Sequence, residues 1–297
     1  CPTGSARGDA MTARDLPVAG GSAHAAAALF AARYGDAGGA PAAGAEALNP
    51  VLETLLGHRS VRAFADRPLA DGTLEWLVAA AQSAPSSSNL QTWSVVAVRD
   101  PARKARLAAL AGDQAQVREA PLLLVWLADL SRLDRIARAA DQPLEGLHFL
   151  DTWAMGVIDA ALAAQNAVTA AAALGLGSVY IGALRNRPEA VAAELALPAG
   201  TVAVFGLCVG HPDPARPTAV KPRLPQRAVL SHEQFAPAEL ATDVAGYDER
   251  MRRFYADQGL PVRAWRAPSL ARLRGPGDLK GRHRLREALQ QQGFQLR

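Results

Sequence analysis

Residues Ala154–Leu176 are rich in alanine and carry one charge, Asp159. A stretch of this length and polarity is either a membrane span or a helix buried at the centre of a domain. Gln165, Asn166 and Thr169 are spaced through it and alanine outweighs leucine, which favours the buried helix. The helix is expected over Thr152–Leu174, stopped by Gly175-Leu176-Gly177 and followed at once by a strand, Ser178–Ile181.

The remaining elements can be read around that helix. Val51–Gly57 and Thr73–Ser83 read as helices. Asn49 caps the first, with Pro50 at its first position, and Asp71 or Thr73 caps the second. Ser94–Val98 reads as a strand ending at Asp100-Pro101, ahead of a helix rich in Ala, Arg and Leu. Leu122–Trp126 is apolar throughout, as a strand covered on both faces should be. Thr201–Val209 is the last core strand, and Cys208 within it is a small buried residue. A single sheet with helices on both faces follows: an α+β, three-layer sandwich. Residues 1–48 read as an Ala/Gly-rich, partly disordered extension, with a short helix near Ser22–Tyr34 and a linker over Gly35–Ala45. Residues 49–297 form the domain, and Met11 is the expected start of translation.

Composition excludes more than it proposes. Hydrophobic residues at 49 % and charged residues at 20 % suit a soluble domain with a sizeable core. A net charge of +4 does not by itself imply nucleic acid or membrane. Two cysteines, Cys1 and Cys208, allow no disulfide framework and no thiolate metal site. Ala25–Ala32 is too short, and lacks the preceding basic segment, for a secretory signal, so a cytoplasmic location is expected. No G-x-G-x-x-G follows an early strand, and Walker, HExxH and GxSxG patterns are missing. What remains is a cofactor held by scattered basic groups and backbone.

Three basic clusters fit that description: His58-Arg59-Ser60-Val61-Arg62, Tyr180–Asn186 and Lys221-Pro222-Arg223-Leu224-Pro225. Arg offers a planar fork matched to phosphate and Lys a compact point charge. Arg59, Arg62, Lys221 and Arg223 are the candidate phosphate ligands, with His58 and Ser60 as further donors. The helix ahead of His58 presents its C-terminus, which does not attract an anion, so side chains must hold it. Taken alone, His58–Arg62 has a solvated turn as its other reading; the Lys221–Pro225 cluster weighs further for a site. Ser86, Ser88, Asn89 and Gln91 lie on one polar loop that can address the edge of a flat heterocycle. A flexible linker is the other reading of that loop, but short connections between core elements are usually ordered. Gly182, between Tyr180, Ile181, Ala183 and Leu184, lets the backbone lie against a ring. Phosphate at one end and a ring at the other describe flavin mononucleotide (FMN). The cofactor then carries the chemistry, and no catalytic Ser, Cys or His is expected.

Five strings fall in the order and approximate spacing of a known family: His58–Phe64, Pro85–Gln91, Asp159–Asn186, Phe205–Asp213 and Val220–Pro225. Over about Asn49–Arg297 the chain resembles the nitroreductase superfamily, in its oxygen-insensitive NAD(P)H nitroreductase and flavin reductase branch. The resemblance implies a mainly antiparallel central sheet and a homodimer with flavin sites at the interface. It also implies a C-terminal extension, about 245–297, reaching over the partner. It implies FMN, NADPH or NADH as donor, and two-electron ping-pong reduction of nitroaromatics, quinones or free flavin. By the same resemblance Gln114 touches the flavin, and Arg263 and Arg266, flanking Trp265, take the extra phosphate of NADPH. Ala183 departs from the family, which commonly has a second glycine there, and Asn89 and Trp93 are closer to the wider superfamily than to this branch. A member with a dedicated acceptor and a non-catalytic flavin-binding regulator are the alternatives. The tail Arg250–Arg297 has Asp257, Asp278 and Glu287 as its only acids. It reads as a nucleic-acid arm or as a solvated face that steers anions. Leu279, Leu285, Leu289 and Phe294 favour the second reading, and 5 % aromatic content argues against stacking on single strands.

Overall fold

Two apolar runs, Leu122–Asp129 and Thr201–Gly210, pair antiparallel at the middle of the sheet and organise everything else. The computed structural model describes residues 23–35, 48–237 and 240–297. The first half of the chain contains α1 (Ala23–Tyr34), α2 (Pro50–Leu56), α3 (Thr73–Gln82), β1 (Trp93–Val98), α4 (Pro101–Leu110), α5 (Ala115–Glu119), β2 (Leu122–Asp129) and α6 (Ser131–Ala139). Then follow α7 (Leu150–Ala173), β3 (Gly177–Ile181), α8 (Pro188–Glu194), β4 (Thr201–Gly210), α9 (Leu240–Asp257), α10 (Arg266–Arg272) and α11 (Leu285–Gln291). The start at Met11 and the Gly35–Ala45 linker, beyond Gly35 itself, lie outside the described residues.

The sheet has the order β1-β2-β4-β3 and every ladder is antiparallel. All of β2 is buried. Its successive side chains enter opposite layers, as the two-residue period of a strand requires. Leu123, Val125 and Leu127 pack with Leu107 of α4, Val117 of α5 and Val191 of α8. Leu122, Leu124 and Trp126 pack with Leu77 of α3 and with Ala163, Ala164, Ala167 and Val168 of α7. This is the α+β three-layer sandwich, with α7 as the long helix of one layer. Small residues let α7 lie close to the sheet: a Cβ on Gly156 would already be 3.2 Å from the Ala128 side chain.

Local signals hold at some ends and fail at others. Asn49 caps α2 as expected, its side chain accepting from Val51 N (3.1 Å) and Leu52 N (3.0 Å). Neither Asp71 nor Thr73 caps α3. Gly72 occupies that position with φ 80°, and Thr73 Oγ1 instead donates back to the Ala70 carbonyl. The basic tail ends on its own chain, where Leu289 and Phe294 join Ala128, Val202 and Val204 in a third core. Gly200 N donates to Gln292 O (2.7 Å) and Arg297 N to His148 O (2.9 Å). Among the described residues, no helix is long and apolar enough to cross a membrane.

Candidate functional site

The His58–Phe64 segment leaves α2 and runs beside the sheet. Val61 N donates to Ser178 O (2.9 Å), Ser60 bridges Ser178 in parallel, and Ala65 N donates to His211 O (2.9 Å). The approach to β3 demands a glycine: a Cβ on Gly177 would lie 2.6 Å from the Val61 side chain. The Lys221–Arg223 segment is held by α9 and by Arg33 of α1. Tyr247 Oη donates to Pro222 O (3.1 Å) and Arg223 N to the Arg33 carbonyl (2.8 Å).

Both segments open on one cavity of about 810 Å³, which His58, Arg59, Ser60, Arg62, Lys221, Arg223 and Arg263 all line. Among the described residues Asp257 is the one acid in its wall. Arg216, also in the wall, is paired with Asp213 (2.8 Å) and Glu119 (3.8 Å). Arg59, Arg62, Lys221, Arg223 and Arg263 have no carboxylate partner among the described residues. Aromatic faces carry part of this charge: Lys221 Nζ lies 5.7 and 5.6 Å from the Phe254 and Tyr255 centroids, and the Arg263 guanidinium 4.6 Å from Tyr255. Burial first, then Arg33, Arg223 and Arg59, holds His58 below the ordinary imidazole range, so it stays neutral beside these cations. A smaller cavity, about 310 Å³, shares His58 and Arg223 and is walled by Arg33, Tyr34, Gln165 and Thr169.

Arg263 and Arg266 are separated by the fold. Arg263 faces the cavity, while Arg266 pairs with Asp248 (3.2 Å), a buried carboxylate that also accepts from Trp265 N and Arg266 N, each at 2.9 Å. Arg266 therefore fixes the turn on which Arg263 stands.

The serine loop is built around a residue whose role the sequence did not reveal. Asp159, 1 % exposed on α7, accepts from Ser86 Oγ (2.7 Å), Ser87 N (3.3 Å), Thr92 N (3.0 Å) and Thr92 Oγ1 (3.0 Å). Ser86 Oγ in turn accepts from Gln91 N (2.8 Å), so that hydroxyl is taken up inside the loop. Ser88, Asn89 and Gln91 adopt left-handed backbone with φ near 50° and leave their side chains exposed. Along α7, Asp159 and Ala172 are roughly 20 Å apart by the helical rise of 1.5 Å per residue. The loop thus sits well away from the His58 end, and none of its residues lines the cation cavity.

Around Gly182 the side chains of Ile181, Ala183 and Leu184 are buried in the core, so the segment presents backbone. A Cβ on Gly182 would meet only the Arg185 guanidinium, at 3.5 Å, among the described residues, which is ordinary contact. Nothing in the described chain requires glycine there; a flat ligand lying against the backbone would. Gln114 precedes α5 and its Nε2 donates to Ala111 O (3.1 Å); Gly112, two residues before it, approaches Asn186 at the end of the Gly182 segment. Tyr180 packs edge-on against Phe205, its centroid 5.1 Å away, and burial raises its phenol above the ordinary range.

Comparison with known proteins gives a consistent result. The nitroreductase family matches residues 55–211, and the C-terminal domain of the nitroreductase family matches residues 221–297. An oxygen-insensitive NADPH nitroreductase of Salmonella typhimurium is 39 % identical over 216 residues, 73 % of this chain and 87 % of that protein. An FMN reductase [NAD(P)H] of Bacillus subtilis is 37 % identical over 257 residues, covering 84 % of this chain and 99 % of its own. Among solved structures, the hypothetical oxidoreductase YcnD from Bacillus subtilis superposes with a TM-score of 0.79 at 35 % identity, over 84 % of this chain and 99 % of that one. With both family segments in order across the sandwich, the chain belongs to the nitroreductase family.

Proposed function

We propose that this chain is an FMN-dependent NAD(P)H oxidoreductase that reduces nitroaromatics, quinones or free flavin by two-electron, ping-pong transfer. The observation that carries the reading is the set of Arg59, Arg62, Lys221, Arg223 and Arg263 opening on one cavity without carboxylate partners among the described residues. Cations held near one another on anchored backbone repel, and a phosphate dianion has the charge to offset that repulsion. The names of the relatives, an NADPH nitroreductase and an FMN reductase, support the same cofactor and donor.

Bound here, the flavin supplies hydride transfer at N5. The protein's own part is to bind and to orient. Arg59, Arg62, Lys221 and Arg223 hold the phosphate, with Ser60 and neutral His58 as donors that add no further charge. Ser88, Asn89 and Gln91 offer hydroxyl and amide groups to the pyrimidine edge, and Ser86 keeps their loop in shape through Asp159. The Tyr180–Leu184 segment offers backbone at Gly182, with Gln114 beside it. Arg263 offers a fork to the extra phosphate of NADPH, and Arg266 holds the turn. No side chain in this set acts as a nucleophile.

We further place the enzyme as a homodimer in the cytoplasm, where reduced nicotinamide is abundant. An apolar face runs over α2 and α7, with Val51, Leu52, Leu55, Ile158 and Leu162 exposed on neighbouring helices. The separation of the serine loop from the cation cavity supports the same reading, since a twofold partner can supply the ring-edge groups that one chain leaves distant.

An absorbance spectrum followed by anaerobic addition of NADPH and then NADH tests the proposal. Flavin bands that bleach establish the oxidoreductase. Bands that persist with both donors indicate a flavin-binding regulator. Protein that takes up no FMN on reconstitution sinks the reading.

A further inference from the structure

We infer that Arg33, on a helix upstream of the family-matched region, is a positioning residue for the phosphate-binding cations; the inference rests on the FMN reading above. The helix α1 is rich in alanine, yet Arg33 near its end is only 6 % exposed. Its guanidinium donates to the carbonyls of Leu56 (2.6 Å), His58 (2.9 Å) and Lys221 (3.0 Å). Its own carbonyl accepts from Arg223 N (2.8 Å). One residue therefore joins the two segments that bear the cations, which are far apart in sequence and otherwise anchored to different elements.

The arrangement answers a specific electrostatic problem. The last carbonyls of α2 lack partners within the helix and carry the negative end of its dipole, close to where a phosphate must sit. Leu56 O belongs to that end and His58 O lies two residues past it, and Arg33 covers both. The guanidinium meets only neutral carbonyls in these bonds, so its charge is not cancelled there and adds to the field of the cavity. A planar fork with several donors can reach carbonyls on two segments; a lysine ammonium at the same place supplies the charge without the span. The family match begins at residue 55, so this clasp comes from a segment upstream of it.

The test compares FMN with riboflavin, which has the same ring and lacks the phosphate. Full-length apoprotein is titrated with each flavin, following fluorescence quenching, for the wild type, Arg33→Ala, Arg33→Lys and Lys104→Met. Lys104 is a buried residue whose ammonium donates to Ala120 O and which does not line the cavity, so its variant controls for general destabilisation. The wild type is expected to prefer FMN. Arg33→Ala is expected to weaken FMN about tenfold or more, as for loss of charged hydrogen bonds, and riboflavin by less than about twofold. Arg33→Lys should fall between the two, and Lys104→Met should keep the wild-type ratio. If Arg33→Ala does not fold, the ratio in Arg33→Lys decides. An unchanged FMN-to-riboflavin ratio in the Arg33 variants, or equal loss of both ligands, overturns the positioning role while leaving the FMN site intact. A wild type that does not discriminate the two flavins overturns the phosphate reading, and this inference with it.

Discussion

The cation cavity and the serine loop are held in place by opposite means. His58–Arg62 and Lys221–Arg223 are fixed by bonds to β3, to α9 and to Arg33, and their charged ends have no carboxylate partner among the described residues. The Ser86–Thr92 loop turns its own hydroxyl and amide groups inward onto one buried carboxylate, Asp159, while Arg132 donates to Gln91 O (2.7 Å) and Asp129 N to Thr92 O (3.0 Å) at its end. Distributed anchoring leaves side chains available for a ligand. Gathering four donors onto one buried group makes that group costly to remove even though it faces no ligand. Substitutions in the two regions should therefore fail in different currencies, affinity in the first and stability in the second.

The largest effect is expected at Asp159. Asp159→Ala leaves four donors without their acceptor and should cost about 3–5 kcal/mol in urea unfolding. A loss under about 1 kcal/mol would show that the bonds from Arg132 and Asp129 suffice to hold the loop and would break the contrast. Next come the cavity cations: Arg59→Ala and Lys221→Ala should each weaken FMN by roughly tenfold to a hundredfold with unfolding midpoints nearly unchanged. Gly182→Ala sharpens the comparison from a third side. The protein has room for the methyl, so stability should move by less than about 0.5 kcal/mol, while stopped-flow reduction of bound flavin by NADPH slows about tenfold or more.

The smallest effect is a pH slope. Folding lowers the proton affinity of His58, so the unfolded chain protonates first as pH falls through the ordinary value of 6.5. Stability of the apoprotein should be full above that value and decline below it, until the folded imidazole also protonates. His58→Gln should flatten the decline between ~pH 7.5 and ~pH 5.5 in urea midpoints. A slope that survives the substitution places its origin elsewhere.

Much of this was legible before the structure. The continuous apolar character of β2 and the single charge in α7 announce a doubly covered strand and a buried helix, because burial leaves few other compositions possible. The cations of His58–Arg62 and Lys221–Arg223 were legible as a set because charge on Pro-flanked turns has few structural uses. Two anchors were not. Asp159 was visible as the one charge in an apolar helix, but its partners are in the Ser86–Thr92 loop, remote in sequence, and no periodicity connects them. Arg33 sits in an alanine-rich segment ahead of a Gly/Pro tract, and a lone arginine in such a context carries no pattern. The cap of α3 shows the same limit at short range: Asp71 and Thr73 both have capping side chains, and the turn geometry chose Gly72 instead.

The contact between Gly177 and Val61 has one more implication. Position 177 is buried, offers no side chain to a ligand, and would normally be classed as structural. Yet a single methyl there must push the strand bearing Arg59 and Arg62 outward, since the Val61 side chain lies 2.6 Å from where it would go. The spacing between the two halves of the phosphate grip is thus set from beneath, by the smallest residue in the sheet. Natural drift or directed mutagenesis seeking a looser cofactor, one that exchanges as a substrate rather than staying bound, has a dial at Gly177 that leaves every ligand-facing side chain as it was.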